Sequence, residues 1–344
     1  MIKEFLFFVS IISGISSFNF GLFNNWHCVG ITDNIDFNYP HKFNIGELPL
    51  VLWKDDNERL ISTVNICRHL GSTLDSGKII NGSLLCPYHG LKHDKKQSYG
   101  KIIDYQGKLW WSYKPKRKTP HSIPFYNKKG YVTQHLEIDM NAGLKDCAYN
   151  SLDLHHPEFV HKGIFGFGSS IPPSNVKTIN FKDRVGLEFD YHIKQNIRYI
   201  SQEMNITEKN KYTKNFNMFI EPITTWSKVS IDNGEKNLII YVSMLPLKEE
   251  LTRWYVSIHH NFNNDNIIQK YILKLATELI LGQDQRQFKK MYPNNELKEI
   301  STFKFMLKND KPIEHIKELL NNYIYPDVKY CVNFMKLTNN DYKC

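Results

Sequence analysis

The sequence is short of long apolar runs. The run that opens the chain, Phe5-Leu-Phe-Phe-Val-Ser-Ile-Ile12, falls below the roughly 20 residues a membrane helix needs, and Asn19 and several serines dilute the stretch after it. Residues 1–23 therefore read as a hydrophobic leader or anchor, cleaved or peripheral rather than spanning, with at most weak membrane association through residues 5–23. An extra element packed on the fold is the alternative reading. Cysteine is also scarce. Two of the six, Cys67 and Cys86, sit beside histidines, and Cys28, Cys147, Cys331 and Cys344 show no regular spacing. That excludes a disulfide scaffold and implies a reducing compartment, cytoplasmic or plastid. Acidic residues are outnumbered, 35 against 44 Lys and Arg, which leaves a net charge of +9. Neither a recognition helix nor aromatic-basic interleaving accompanies the scattered lysines, so no nucleic-acid partner is expected. No internal repeat is present, and a hydrophobic content of 41% excludes a disordered chain.

What the chain does contain is Cys67-Arg-His69, then sixteen residues, then Cys86-Pro-Tyr-His89-Gly90. Each half offers one thiolate and one imidazole on a short hairpin, with Gly71, Pro87 and Gly90 as turn residues. Two Cys on one iron and two His on the other is the Rieske form of a [2Fe–2S] cluster. Zinc is the competing metal, since Cys2His2 also satisfies a tetrahedral site. Zinc fingers usually pair Cys with Cys and His with His, however, whereas each hairpin here is mixed. A basic surface then suits the docking of an acidic electron-donor protein.

From Trp26 to about Pro115, strand-like runs at 48–53, 60–66 and 108–113 alternate with Gly, Asn and Asp turns, which predicts a small β domain carrying the cluster on two loops. A Lys/Pro-rich linker comes next, at 114–124. Beyond it the pattern predicts a helical stretch over 142–155, alternating strands at 185–193, 215–219, 238–245 and 254–260, and a long helix over 264–291. On that helix Ile267, Ile268, Tyr271, Ile272, Leu275, Leu279 and Ile280 form an apolar stripe expected to face the core. The fold class is α+β, with an antiparallel sheet packed against helices after the β domain. Three segments are expected: a leader at 1–23, the cluster domain at 24–118 and a second domain at 119–344.

The second domain carries Asn150-Ser-Leu-Asp153-Leu-His155-His156-Pro157-Glu158-Phe159-Val160-His161. On a helix Asn150, Asp153 and His156 share a face, and His161 returns to the same point if the helix ends or distorts at Pro157. Two neutral imidazoles and one carboxylate, with other positions open, form the facial triad of a non-haem Fe(II) oxygenase. The carboxylate must come from elsewhere. Asp284, in Leu281-Gly-Gln-Asp-Gln-Arg286, is the candidate because it lies near the stripe, with Glu278 as its substitute. His155 is expected to point away. A structural histidine pair at a helix end is the bland alternative, but a cluster in the same chain calls for a redox acceptor.

From Trp26 onward the chain resembles the catalytic (alpha) subunit of Rieske non-haem iron oxygenases, and N-x2-D-x2-H-x4-H is most like the vanillate and dicamba O-demethylase type. The resemblance implies a Rieske domain ahead of a helix-grip catalytic domain, with cluster ligands Cys67, His69, Cys86 and His89. It also implies mononuclear iron ligands His156, His161 and Asp284, catalytic roles for Asp153 and Asn150, and O2 as co-substrate. Asp153 would bridge His89 of one subunit to His156 of its neighbour in a homotrimer. A ferredoxin or NAD(P)H-dependent reductase would supply electrons, and a small organic substrate would be hydroxylated or demethylated. Oxygenation of a pigment such as a chlorophyll precursor is a further reading, and a Rieske electron carrier with a silent second domain is the reading from another class. Leu91 stands where family members commonly have Trp, which bears on shielding of the cluster. Ser72 and Tyr88 stand where the membrane cytochrome-complex Rieske proteins have a disulfide, which counts against that class.

Overall fold

The computed structural model describes residues 21–161, 173–192, 212–231, 234–262, 267–291, 311–321, 323 and 325–338. The apolar run at 5–12 lies outside them. Among the described residues no helix is long and apolar enough to cross a membrane.

The first half of the chain folds into three small antiparallel sheets. Strands β1 (His27–Ile31), β8 (Lys101–Tyr105) and β9 (Lys108–Ser112) pair in the order β1-β9-β8. Strands β2 (His41–Ile45), β3 (Leu48–Lys54) and β4 (Leu60–Val64) form a meander, and so do β5 (Lys78–Ile80), β6 (Ser83–Leu85) and β7 (Lys92–His93). The third sheet and its flanking loops carry both cysteine hairpins. Gly100, at φ +75°, brings the backbone so close to the indole of Trp111 that a Cβ would lie 2.6 Å from the ring. Only glycine meets both demands.

The second half is built on one seven-stranded antiparallel sheet. Its strands are β10 (Val132–Met140), β11 (Ser174–Phe181), β12 (Arg184–His192), β13 (Tyr212–Ile220), β14 (Thr224–Ile231), β15 (Lys236–Lys248) and β16 (Leu251–His260), in the order β10-β16-β15-β14-β13-β12-β11. Period-two alternation gives the sheet two buried faces. Val242, Met244, Trp254, Val256 and Ile258 pack towards helices α1 (Leu144–Asn150), α3 (Ile267–Met291) and α4 (Lys311–Leu320). Tyr241, Leu245 and Tyr255 turn the other way and join the core of the cluster domain. A short helix, α2 (His156–Val160), and a last one, α5 (Val328–Thr338), complete the chain.

Two segments cross the boundaries expected from sequence. Phe23, assigned to the leader, is fully buried with its ring centroid 4.2 Å from that of Phe334. Helix α5 packs with Tyr330, Cys331 and Phe334 in the core of the cluster domain, and Tyr99 and Thr338 share a 2.7 Å hydrogen bond. The continuous helix expected over 142–155 is broken between Asn150 and His156. The carboxylate of Asp153 accepts the backbone N–H groups of His155 at 2.8 Å and His156 at 3.2 Å, which starts a new helix rather than continuing the old one. The stripe on α3 also differs from expectation. Ile268, Tyr271, Leu275 and Leu279 are exposed, while Thr277, Leu281, Asp284 and Phe288 form the buried line on the opposite side.

A lysine is sealed between the two halves. Lys108 of β9 is fully buried, donates to Ser257 Oγ at 2.9 Å and lies 4.5 Å from the ring centroid of Tyr241. Burial holds its pKa down to about 8, against an ordinary 10.5. Net of its contacts, the charged form is therefore disfavoured by on the order of 3 kcal/mol relative to the unfolded chain. Between pH 8 and 10.5 the unfolded lysine holds its proton more tightly than the folded one, so this group's contribution to stability rises with pH across that window. Lys108→Met keeps the stem and removes the charge. It is expected to stabilise the protein by about 1 kcal/mol at pH 7, with the gain shrinking above pH 8. Thermal melts of both proteins across pH 7–10 check this, and a lower melting temperature for the variant at pH 7 would contradict it.

Candidate metal centres

The two cysteine hairpins are near copies in backbone geometry. Cys67 N–H donates to Ser72 O at 2.7 Å while Gly71 N–H returns to Cys67 O at 2.8 Å. Cys86 N–H donates to Leu91 O at 2.9 Å while Gly90 N–H returns to Cys86 O at 3.0 Å. Gly71 and Gly90 sit at φ +76° and +70°, which is why glycine ends each turn. The fold points the sulfurs inward and the imidazoles outward. Cys67 and Cys86 are buried against Val51, Trp53, Leu74 and Leu84, with Leu91 packed beside them, whereas His69 and His89 are exposed. The two rings lie 4.9 Å apart, and the Tyr88 ring leans against His89 at a 32° tilt with centroids 3.9 Å apart. Despite the opposing effect of burial, the N–H groups of Tyr88 and His89 help hold the Cys86 thiol below its ordinary pKa. Two inward sulfurs, two outward imidazoles and backbone N–H groups aimed at sulfur form a donor set that can hold a mixed Cys2His2 iron–sulfur cluster.

The second site lies where α1, α2 and α3 meet. The donor atoms of His156, His161 and Asp284 all fall within 4.8 Å of one another. Asp284 Oδ1 is 3.7 Å from His156 Nε2 and 3.5 Å from His161 Nε2, and Asn150 Nδ2 donates to the same oxygen at 3.4 Å. Both imidazoles turn their Nδ1 atoms away from the aspartate. His156 Nδ1 donates to the carbonyl of Asp153 at 2.9 Å, and His161 Nδ1 faces Gln283 Oε1 at 3.2 Å. A carbonyl oxygen can only accept, so the proton sits on Nδ1 and Nε2 keeps its lone pair for a metal. Burial lowers the His161 pKa to about 4 and raises that of Asp284 to about 6. At pH 7 the ring is neutral and the carboxylate ionised, the forms that bind a cation. Two neutral nitrogens and one carboxylate suit iron(II).

The structure thus brings together His156, His161, Asp284 and Asn150, four of the residues singled out in the sequence. Glu278 is exposed on α3, and His155 is outside the donor group. Asp153 touches the site through its backbone carbonyl, while its carboxylate caps α2. The described ring contacts of His89 are with Tyr88 and His69 rather than Asp153. Two neighbours of Asp284 were not anticipated. Gln283 faces His161, and Gln285 donates through Nε2 to Asp139 O of β10 at 2.6 Å. Their only signal in the sequence is adjacency to the aspartate.

Residues 25–108 match the Rieske [2Fe-2S] domain. Residues 140–324, more than half of the chain, match the vanillate O-demethylase oxygenase C-terminal domain. The chain belongs to the Rieske non-haem iron oxygenases. Among curated members of this group, the dicamba O-demethylase oxygenase component of Stenotrophomonas maltophilia is 24% identical over 163 residues, covering 40% of this chain and 47% of the relative. The chloroplastic chlorophyllide a oxygenase of Arabidopsis thaliana is 26% identical over 168 residues, covering 43% and 31%. The aligned stretch thus spans about half the length of the first curated relative. The fold is that of a Rieske oxygenase along most of its length. The crystal structure of dicamba monooxygenase bound to dicamba superposes with a TM-score of 0.74 at 14% identity, covering 87% of this chain and 97% of the other. A Pseudomonas putida CBB5 structure with caffeine gives 0.70 at 14% identity, covering 89% and 92%.

Proposed function

We propose that this chain is the oxygenase component of a two-centre enzyme that hydroxylates or oxidatively demethylates a small aromatic or polycyclic compound. Electrons would come from a ferredoxin or an NAD(P)H-dependent reductase. Cys67, His69, Cys86 and His89 hold the [2Fe–2S] cluster, and His156, His161 and Asp284 hold the iron(II). When bound, these groups supply single electrons and activation of O2. One observation carries the reading. A two-imidazole, one-carboxylate site, buried at His161 and Asp284 and half-buried at His156, with both Nε2 atoms turned towards the carboxylate, shares a chain with the cluster hairpins.

The protein's own part is positional. The carbonyl of Asp153 fixes the tautomer of His156, and Asn150 steadies the Asp284 carboxylate. The carboxylate of Asp153, with a third of its side chain exposed, is left available to the exposed His89 of a neighbouring subunit. A homotrimer in which each cluster serves the next subunit's iron would accord with that pairing, with His89 on the carboxylate of Asp153 and His156 on its main-chain carbonyl.

Iron content tests the proposal. The purified protein, reconstituted anaerobically, is expected to bind about three iron atoms per chain, two in the cluster and one at the second site. It should also consume O2 when given a reductase and a substrate. About two irons and no O2 uptake would instead identify an electron carrier.

A further inference from the structure

We infer that Gln283 is a positioning residue for the mononuclear site, selecting the metal-binding tautomer of His161. The inference rests on the reading of His156, His161 and Asp284 as iron ligands. The His161 ring is bracketed by two successive side chains of α3. Its Nδ1 lies 3.2 Å from Gln283 Oε1 and its Nε2 lies 3.5 Å from Asp284 Oδ1. Successive residues on a helix are turned by about 100°, so a single turn of α3 reaches both edges of one imidazole.

An acceptor facing Nδ1 favours one of the two neutral forms of the ring over the other. With Oε1 facing Nδ1, the proton resides on Nδ1 and Nε2 presents a lone pair beside Asp284. With the amide reversed, its NH2 group would donate to Nδ1 and leave the proton on Nε2, where it blocks a metal. His156 reaches the same form by another route, because its Nδ1 donates to the main-chain carbonyl of Asp153. Side-chain substitution cannot remove that acceptor. The two histidine ligands therefore differ in what faces Nδ1, a backbone carbonyl for His156 and a replaceable side chain for His161. His161 is 3% exposed, so water does not readily take over as acceptor. It also stands past the end of α2, at φ −93° and ψ 43°, where the helix no longer sets the direction of the ring.

Gln283→Leu keeps the size and helix propensity of the side chain and removes the acceptor. Gln283→Glu restores an acceptor that also favours the proton on Nδ1. Each variant and the wild type, carrying its cluster, is dialysed anaerobically against a series of cobalt(II) concentrations, and the cobalt bound per chain is read by metal analysis. The expected result is a dissociation constant about 10–100-fold weaker in Gln283→Leu, near wild type in Gln283→Glu, with the same cluster spectrum in all three. An unchanged constant in Gln283→Leu overturns the inference while leaving the ligand assignment standing. Equal weakening in both variants overturns it too, because bulk and packing rather than the acceptor would then be at work. A wild type that takes no cobalt overturns the ligand assignment, and the role of Gln283 falls with it.

Discussion

Replacing Asp284 with alanine is expected to lower the iron content from about three atoms per chain to about two, leaving the cluster spectrum intact, and to reduce turnover to background. Among the described residues the carboxylate is the one anionic donor of the second site, and it is 4% exposed. Without it, two neutral imidazoles remain to hold a dication in a desolvated place, which is a poor exchange for water. The same substitution should leave the metal-free chain at least as stable as the wild type. Burial already raises the Asp284 pKa to about 6, so the ionised carboxylate is held at a cost until a cation arrives. Metal analysis, visible absorption and thermal melts of metal-free protein together check the prediction. Retention of a third iron in the variant would remove Asp284 from the site.

Asp153 is expected to show a different pattern, in which metal content survives and turnover does not. Its Oδ1 caps α2 by accepting two backbone N–H groups, so Asp153→Ala also loses a cap whose usual value is about 1 kcal/mol. Asp153→Asn separates the two effects, since an amide oxygen can still cap the helix while the negative charge between two imidazoles is gone. Both variants should keep the cluster's visible spectrum. Iron at the second site should also be kept in Asp153→Asn, because His156 is oriented by the carbonyl of residue 153 rather than by its side chain. Turnover should fall by about 10–100-fold or more in both. Turnover surviving in Asp153→Asn would show that the electron route does not pass through this carboxylate.

The parts of the site that were legible in the sequence are those whose partners lie close along the chain. Cys67 with His69 and Cys86 with His89 are each confined to one turn, and the glycines that close those turns are visible as residues. His156 and His161 are likewise neighbours. Asp284 is more than 120 positions from His161, and the apolar stripe that points to it lies on the other side of its helix. Apolar residues occupy two sides of α3, and spacing alone cannot say which side meets the sheet. Ile268, Tyr271, Leu275 and Leu279 fit the period as well as the buried line does, and they face solvent. The break after Asn150 was hidden for a related reason. The run from Ala142 to His155 has helical composition, but the decision is made by one side chain, Asp153, competing for the N–H groups that a continuing helix would use. Gln283 has no spacing signature, because its role depends on where a distant histidine comes to rest.

Gln283, Asp284 and Gln285 face three different parts of the fold. They reach His161, the His156–Asn150 side of the site and the backbone of Asp139 on β10. Such an arrangement fixes α3 against both sliding and rotation at the one turn where the iron ligand sits. Losing a single residue from α3 ahead of Gln283 would turn the upstream half of the helix by about 100° and draw it along by about 1.5 Å relative to that turn. For a loss near the outer end, ahead of Thr277, the strain would fall on the exposed positions around Ile268 and Tyr271, while Thr277, Leu281 and the site itself stayed in register. The length of α3 can therefore vary at its outer end, away from the metal, without the centre having to be rebuilt.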